Sequence, residues 1–211
     1  MRRFLIADDH EVVRRGLKQI LFDAFPSAII AEVTNAEDLL KKVALEEWDV
    51  VISDISMPGR SGLEILQQIH QDHPKLPVLI LSVHSEDQYA IRVLKAGASG
   101  YLNKESATEE LVRAINHLLL GKKYITPSIG EKMATMLDRG KDKGKLPHEY
   151  LSDREFEVCK LLAAGKSVSE IAEKLLLSVT TVSTYRARIM TKLNLKTNSD
   201  LTLYAIEHKL L

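Results

Sequence analysis

The chain predicts an α/β domain built on a doubly wound, five-stranded parallel sheet, followed by a smaller all-α domain that carries a helix-turn-helix. Three observations point there. Between residues 3 and 120, five short apolar runs alternate with five longer segments of helical period, the alternation that gives parallel strands joined by right-handed crossover helices. Residues 138–145, Asp-Arg-Gly-Lys-Asp-Lys-Gly-Lys, are charged and glycine-punctuated without apolar period, as a linker is. Beyond them the period is helical throughout, and Ser152-x-x-Glu155 and Ser167-x-x-Glu170 read as capping boxes.

In order, residues 3–7 form a strand ending in Asp8-Asp9, and a helix follows through Val12, Val13, Leu17, Ile20 and Leu21. Strands are expected at 29–33, 50–54, 78–82 and 100–102, and helices at 36–46, 62–73, 86–95 and 107–120. Asn35 before Asp38, Ser85 before Gln88 and Ser106 before Glu109 supply helix start signals. The first domain spans 1–125, a linker with a further helix over 127–137 spans 126–148, and the second domain spans 149–211. In the second domain Gly165 ends the first helix, the next runs over 167–175, and Ser178 caps a third that reaches Leu193. Asn198 or Ser199 opens a fourth carrying Leu201, Leu203, Tyr204, Ile206 and Leu210.

Composition narrows the function classes. At 211 residues, 45% hydrophobic and 27% charged, the chain has room for one mid-sized core and one small one. A single cysteine, Cys159, excludes an internal disulfide framework and any CxxC motif. It sits among Val158, Leu161 and Leu162 and reads as an inert buried thiol. No apolar run approaches a membrane span and no signal segment opens the chain, so the expected home is a bacterial-type cytoplasm. Net charge is zero, yet residues 174–198 hold Lys174, Arg186, Arg188, Lys192 and Lys196 and no acid, a local basic stripe that hints at a polyanion partner. Gly165-Lys166-Ser167 imitates the end of a phosphate-binding loop, but Lys160 stands five residues before it and no strand precedes it. The seven histidines show no metal-ligand spacing.

The chemistry centres on Val50-Val51-Ile52-Ser53-Asp54-Ile55-Ser56-Met57-Pro58-Gly59, where a run of β-formers ends in a carboxylate and is stopped by Met-Pro-Gly. With a flavodoxin-like 2-1-3-4-5 strand order, the first and third strands flank the topological switch point, where Asp8, Asp9 and Asp54 converge. Three carboxylates in one crevice repel, and they either raise their own pKa values or recruit a hard cation, Mg²⁺ above all. Ser82 ends the fourth strand and Lys104 follows the fifth, adding a hydroxyl and an ammonium. The set makes one carboxylate a nucleophile toward phosphorus. Each residue alone also reads as a cap, a turn residue or a satisfied core group; all five at successive strand ends read as a site. Flavin or nucleotide binding is the competing use of this fold. It fares poorly here, because the first loop is Asp-Asp-His where a glycine-rich phosphate cradle is needed.

On Asp8-Asp9, Asp54 with Met-Pro-Gly, Ser82 and Lys104, residues 1–122 resemble the receiver domain of two-component response regulators. The resemblance implies phosphotransfer from a histidine kinase to Asp54, with Mg²⁺ held by Asp9, Asp54 and the Ser56 backbone carbonyl and Asp8 helping through water. It implies Lys104 and Ser82 as phosphoryl partners and Tyr101 as the aromatic that turns inward when the hydroxyl moves. Turnover of a diffusible substrate is not expected, only Mg²⁺-dependent phosphorylation and dephosphorylation at Asp54. Val83 stands where many receivers have alanine, and Ser56 and His84 occupy positions that tune dephosphorylation.

In the second domain, Val182, Tyr185, Ile189 and Leu193 make a packing stripe at 3- and 4-residue spacing. The opposite face shows Thr180, Ser183, Thr184, Ala187, Arg188 and Thr191, compatible with base edges. Arg186, Lys192 and Lys196 are placed to reach phosphates, and Ser178 and Thr181 lie at the helix start. The motifs Leu151-Ser-x-Arg-Glu155, Gly165-x-Ser-x-x-Glu-Ile-Ala172, Leu177-Ser-x-x-Thr-Val182 and Ile189-x-x-Lys-Leu193 resemble the LuxR-type helix-turn-helix. Joined to a receiver, this looks like the NarL/FixJ class, which implies double-stranded DNA as partner, homodimerisation on phosphorylation and control of transcription. Tyr185 replaces a frequent histidine, and Ser183, Thr184 and Ala187 offer no bidentate guanine contact. The alternative is a helical domain that binds a protein; a salt-dependent mobility shift on duplex DNA separates the two.

Overall fold

In the computed structural model, residues 1–57, 60–83, 86–105, 107–139 and 146–211 are described. Pro58, Gly59, His84, Ser85, Ser106 and 140–145 lie outside them, and with them the expected caps at Ser85 and Ser106, the tuning position His84 and part of the expected linker. The chain divides into two units, Met1–Thr135 and Met136–Leu211.

The first unit alternates β1 (Arg3–Ala7), α1 (Glu11–Ala24), β2 (Ile29–Val33), α2 (Ala36–Leu45), β3 (Val50–Asp54), α3 (Gly62–Asp72), β4 (Val78–Ser82), α4 (Glu86–Lys95), β5 (Gly100–Asn103) and α5 (Ala107–Leu119). The strands form one sheet in the order β2-β1-β3-β4-β5, every pair parallel. Every residue of β3 and β4 is buried, which explains their unbroken apolar runs: helices cover both faces, so the alternation of a half-exposed strand is absent. Phe4, Ile6, Ile52, Leu79, Leu81 and Leu102 meet Leu17, Leu21, Leu111, Ala114, Ile115 and Leu118 of α1 and α5 in one core. Leu5, Val51 and Ile80, on the other face by the alternation of a strand, are equally buried.

Asn35 caps α2, its side chain accepting from the Asp38 N–H at 2.9 Å. After α5, Tyr124 forms an isolated parallel bridge with Gly100, its N–H donating to the Ser99 carbonyl at 2.8 Å. A Cβ on Gly100 would stand 3.0 Å from Leu79 and 3.1 Å from Tyr124, so this position has little room for a side chain. Helix α6 (Pro127–Arg139) follows and spans the division between the units.

The second unit holds a 3-10 turn (Pro147–Tyr150), α7 (Asp153–Ala163), α8 (Val168–Leu175), α9 (Val179–Leu193) and α10 (Asn198–Glu207). Both capping boxes close in full, Ser152 with Glu155 and Ser167 with Glu170. A third exists: α10 starts at Asn198 and its cap is Thr197, which closes a box with Asp200. Neither Asn198 nor Ser199 is the cap, because the hydroxyl that reaches the third helical N–H belongs to Thr197; Thr-x-x-Asp is the same device with a shorter acid. Gly165 adopts a left-handed φ of 82° at the end of α7, where a residue without Cβ costs least. Leu176 does the same at φ 52° in the turn between α8 and α9, a conformation that costs a branched residue about 1 kcal/mol. Among the described residues no helix is long and apolar enough to cross a membrane.

Candidate functional site

Strand ends assemble the pocket. β1 and β3 are neighbours at the point where strand order reverses, so Asp8, one residue past β1, and Asp54, the last of β3, face each other across the switch point. Both are buried, at 1% and 3% exposure. The Lys104 ammonium, delivered by the turn after β5, stands 2.7 Å from Asp54 Oδ2 and 2.7 Å from Asp8 Oδ2. Its backbone N–H donates to the Ser82 carbonyl at 2.8 Å, which ties the ends of β4 and β5 together. Ser82 and Tyr101 are wholly buried; the Tyr101 ring is therefore inward in this structure. Val83, at 65% exposure, is at the rim.

Backbone groups aim the carboxylates. The Ser56 N–H donates to Asp54 Oδ1 at 2.9 Å, and the His10 N–H donates to Asp8 Oδ1 at 2.8 Å. Arg14 donates to the Asp8 carbonyl at 2.9 Å. Burial pushes the Asp54 carboxyl above its ordinary range; Lys104 and the Ser56 N–H oppose that, and Asp8 adds to it. Burial alone would lower Lys104, but its bonds to Asp54 and Asp8 outweigh that and raise it.

Asp8, Asp9, His10 and Asp54 each offer a ligand atom, all within 4.8 Å of one another. Asp8 Oδ2 is buried, and its partner is the Lys104 ammonium at 2.7 Å. Mostly carboxylate oxygens, with one lysine charge shared between two of them, fit a divalent cation that prefers oxygen. His10 is the member that sequence reasoning missed; its sole signal is that it follows Asp8-Asp9 directly.

The second cluster lies on α9. Thr180, Ser183, Thr184, Ala187, Arg188 and Thr191 are all exposed along one face. Val182, Ile189 and Leu193 are buried on the other. Tyr185 is only half-buried, and Met190 takes its share of the packing face instead. Several hydroxyls are already engaged: Ser178 Oγ accepts from the Thr181 N–H at 3.0 Å and meets Thr181 Oγ1 at 2.8 Å. Thr184 and Thr191 donate back to the Thr180 and Ala187 carbonyls, each at 3.0 Å, so as they stand they present methyl groups and an acceptor.

The basic side chains separate into two kinds. Arg186 Nε donates to Asn198 Oδ1 at 2.9 Å, which anchors the guanidinium between α9 and α10, while Arg188 and Lys196 are exposed. Lys192 departs from the expectation that it reaches a phosphate. Its ammonium turns inward, 2.6 Å from Glu155 Oε2 and 3.3 Å from the Tyr150 carbonyl, because the buried Glu155 of the α7 capping box needs a counter-charge. Beside Glu155, Arg154 donates to the Leu175 carbonyl at 3.1 Å and to Glu157 at 2.7 Å. Two adjacent residues of α7 thus hold the C-terminus of α8 and the body of α9.

Comparison with known proteins agrees with this division. The receiver-domain model of response regulators matches residues 4–116, and the model of bacterial regulatory proteins of the luxR family matches residues 149–205. Response regulator UvrY of Escherichia coli (strain K12) is 38% identical over 210 residues, covering 100% of this chain and 96% of that protein. Response regulator GacA of Pseudomonas aeruginosa is 35% identical over 208 residues, covering 99% and 97%. Among solved structures, RcsB from Salmonella enterica serovar Typhimurium bound to promoter rprA in the presence of the phosphomimetic BeF₃⁻ superimposes with a TM-score of 0.67 at 27% identity, covering 97% of this chain and 98% of that one. A receiver and a LuxR-type module in this order, with relatives similar from end to end, mean that the chain belongs to the NarL/FixJ-type response regulators of two-component systems.

Proposed function

We propose that a histidine kinase phosphorylates Asp54, and that the phosphorylated chain dimerises and binds duplex DNA through α9, so that transcription in the cytoplasm follows the kinase signal. The observation that carries this reading is the Lys104 ammonium held at 2.7 Å from both Asp8 and Asp54 at the switch point of a parallel sheet. An Asp54 oxygen attacks the phosphorus of a phosphohistidine or acyl phosphate. An O–P bond forms as the N–P or O–P bond of the donor breaks, and the leaving group keeps the bonding pair. Burial strips water from Asp54 and leaves its carboxylate poorly solvated, which favours bond formation. Lys104 meets the charge of the arriving phosphoryl oxygens, and the Ser82 hydroxyl donates to one of them.

Asp9, Asp54 and the Ser56 carbonyl would hold Mg²⁺, with Asp8 acting through water; when bound, the ion supplies charge neutralisation to the same oxygens. The burial of both Ser82 and Tyr101 on the neighbouring strands β4 and β5 supports a packing route from pocket to surface. Direct electrostatics from one phosphoryl group fades within about 8 Å at physiological salt. For DNA, support comes from the exposed α9 face, from Arg186, Arg188 and Lys196, and from the promoter-bound solved relative. Single modules with few base contacts bind weakly, and two linked in a dimer act at high effective concentration.

The test is acetyl phosphate with Mg²⁺, followed by intact mass and by binding to a two-half-site duplex. One phosphoryl group should be added, lost with Asp54→Asn or chelator, and the labelled protein should sediment as a dimer and bind more tightly. Labelling that survives both treatments overturns the pocket assignment; a salt-independent complex overturns the DNA assignment.

A further inference from the structure

Arg186 and Lys192 both leave α9 and are held by side chains of another helix, yet their partners differ in charge. Lys192 is matched by the Glu155 carboxylate at 2.6 Å. Arg186, half-buried, is held by a neutral amide: its Nε donates to Asn198 Oδ1 at 2.9 Å, and among the described residues no carboxylate pairs with the guanidinium. A bond at Nε leaves the N–H groups of both terminal nitrogens, and the whole positive charge, uncompensated. The acid of the first turn of α10 does not supply the counter-charge. Asp200 Oδ2 accepts from the Thr197 N–H at 2.8 Å and the Lys196 N–H at 3.3 Å, where the capping box keeps it. Asn198 is itself fixed. It is the first residue of α10, beside the Thr197 cap, and the Thr202 hydroxyl, one turn on, bridges its backbone carbonyl at 3.1 Å and the Ala163 carbonyl of α7 at 3.2 Å.

Resting on the DNA reading above, we propose that Asn198 is a positioning residue: it orients the Arg186 guanidinium toward a DNA phosphate and, being neutral, leaves the full charge available to that phosphate. Arg186 borders the exposed face of α9 beside Ser183 and Ala187. With α9 in the major groove, that border meets the sugar-phosphate backbone. The free end of the guanidinium is a fork that matches a pair of phosphate oxygens, and fixing it beforehand lowers the entropy lost on binding. An aspartate at 198 would hold the arginine at least as tightly, but its carboxylate would compete with the phosphate for the same charge. A negative side chain also suits the first turn of a helix, so folding alone favours aspartate where asparagine stands.

The experiment uses the full chain treated with acetyl phosphate and a mixed-sequence duplex, since phosphate contacts carry no sequence information. It reads affinity across a salt series together with the melting temperature. Arg186→Ala should bind about tenfold more weakly and flatten the slope of log affinity against log salt by about 0.9 per subunit. Asn198→Asp should also bind more weakly and flatten the slope, while melting no lower than wild type; a merely structural role for Asn198 would not produce that split. Asn198→Ala should weaken binding about threefold in the wild-type background and no further in the Arg186→Ala background. Asn198→Asp protein that binds as tightly as wild type with its slope intact overturns the proposal, and so does an Asn198→Ala loss that is the same with and without Arg186; in either case the Arg186→Ala effect leaves the DNA reading standing. A wild-type complex that ignores salt, or no complex at all, removes the DNA reading and this role of Asn198 with it.

Discussion

Asp54–Lys104 and Glu155–Lys192 are the same chemical pair, one in each unit, and they behave oppositely. The distances are 2.7 and 2.6 Å and both carboxylates are 4% exposed. At Asp54 burial is the largest influence and outweighs Lys104 and the Ser56 N–H, with Asp8 adding a smaller push, so the carboxyl is raised. At Glu155 burial also pushes upward, but Lys192 and the Ser152 N–H outweigh it, and the carboxyl is held below its ordinary range. The first pair keeps a carboxylate in a state the fold resists, as a reactive site does. The second has its charge matched and stabilises the unit that presents α9.

The largest effect expected from breaking this contrast is at Glu155. Glu155→Ala removes half of a capping box and leaves Lys192 without its partner, which should destabilise the second unit by about 3 kcal/mol. A urea titration followed at α7 amide signals reads this, and a loss under about 1 kcal/mol would make the pair ornamental. Asp54→Asn should act the other way, stabilising the first unit by about 1 kcal/mol by relieving like-charge crowding. A destabilised Asp54→Asn would mean that Lys104 needs both carboxylates.

Acid should separate the units without any mutation. Glu155 has a lowered folded pKa, so its contribution is present above the usual carboxyl range and is lost as pH falls through its folded value. Asp54 has a raised one, so its contribution is present below the usual range and is lost as pH rises through the folded value. Acidifying from neutral pH toward the carboxyl range should therefore favour the first unit through Asp54 and cost the second through Glu155, and Glu155→Gln should flatten the second trend. Residue-resolved hydrogen exchange across that range measures both; parallel trends in the two units would refute the sign assigned to Asp54.

The smallest effect sharpens the difference between lysines and arginines on α9. Arg188→Ala should reduce the slope of log affinity for DNA against log salt by about 0.9 per lost phosphate contact, with folding unchanged. Lys192→Ala should lower stability and leave that slope nearly intact. If Lys192→Ala alone flattens the slope, its ammonium leaves Glu155 when DNA binds.

The reactive residues were legible because they fall at strand ends. Asp8, Asp54 and Ser82 each follow or end an apolar run whose length and flanks mark a strand, and Lys104 follows the last of them within two residues. A parallel sheet then brings such ends to one edge whatever the surrounding loops do. Lys192 was not legible in the same way. A basic stripe records that charges share a segment, but which long side chain turns inward depends on a carboxylate 37 positions away. His10 escaped because a lone histidine has no spacing to recognise. Thr197 escaped because a shorter acid completes its box.

What the sequence determined by itself is the order and type of the elements and the residues available at each end, since these follow from period, caps and breakers that act within a few residues of one another. What only the tertiary structure decided is which groups meet: one lysine shared by two aspartates, another matched to a single glutamate, and an imidazole beside the acid pair. Those outcomes depend on burial and on partners tens of residues apart, and a buried carboxylate is raised or lowered according to whether its partners outweigh its desolvation.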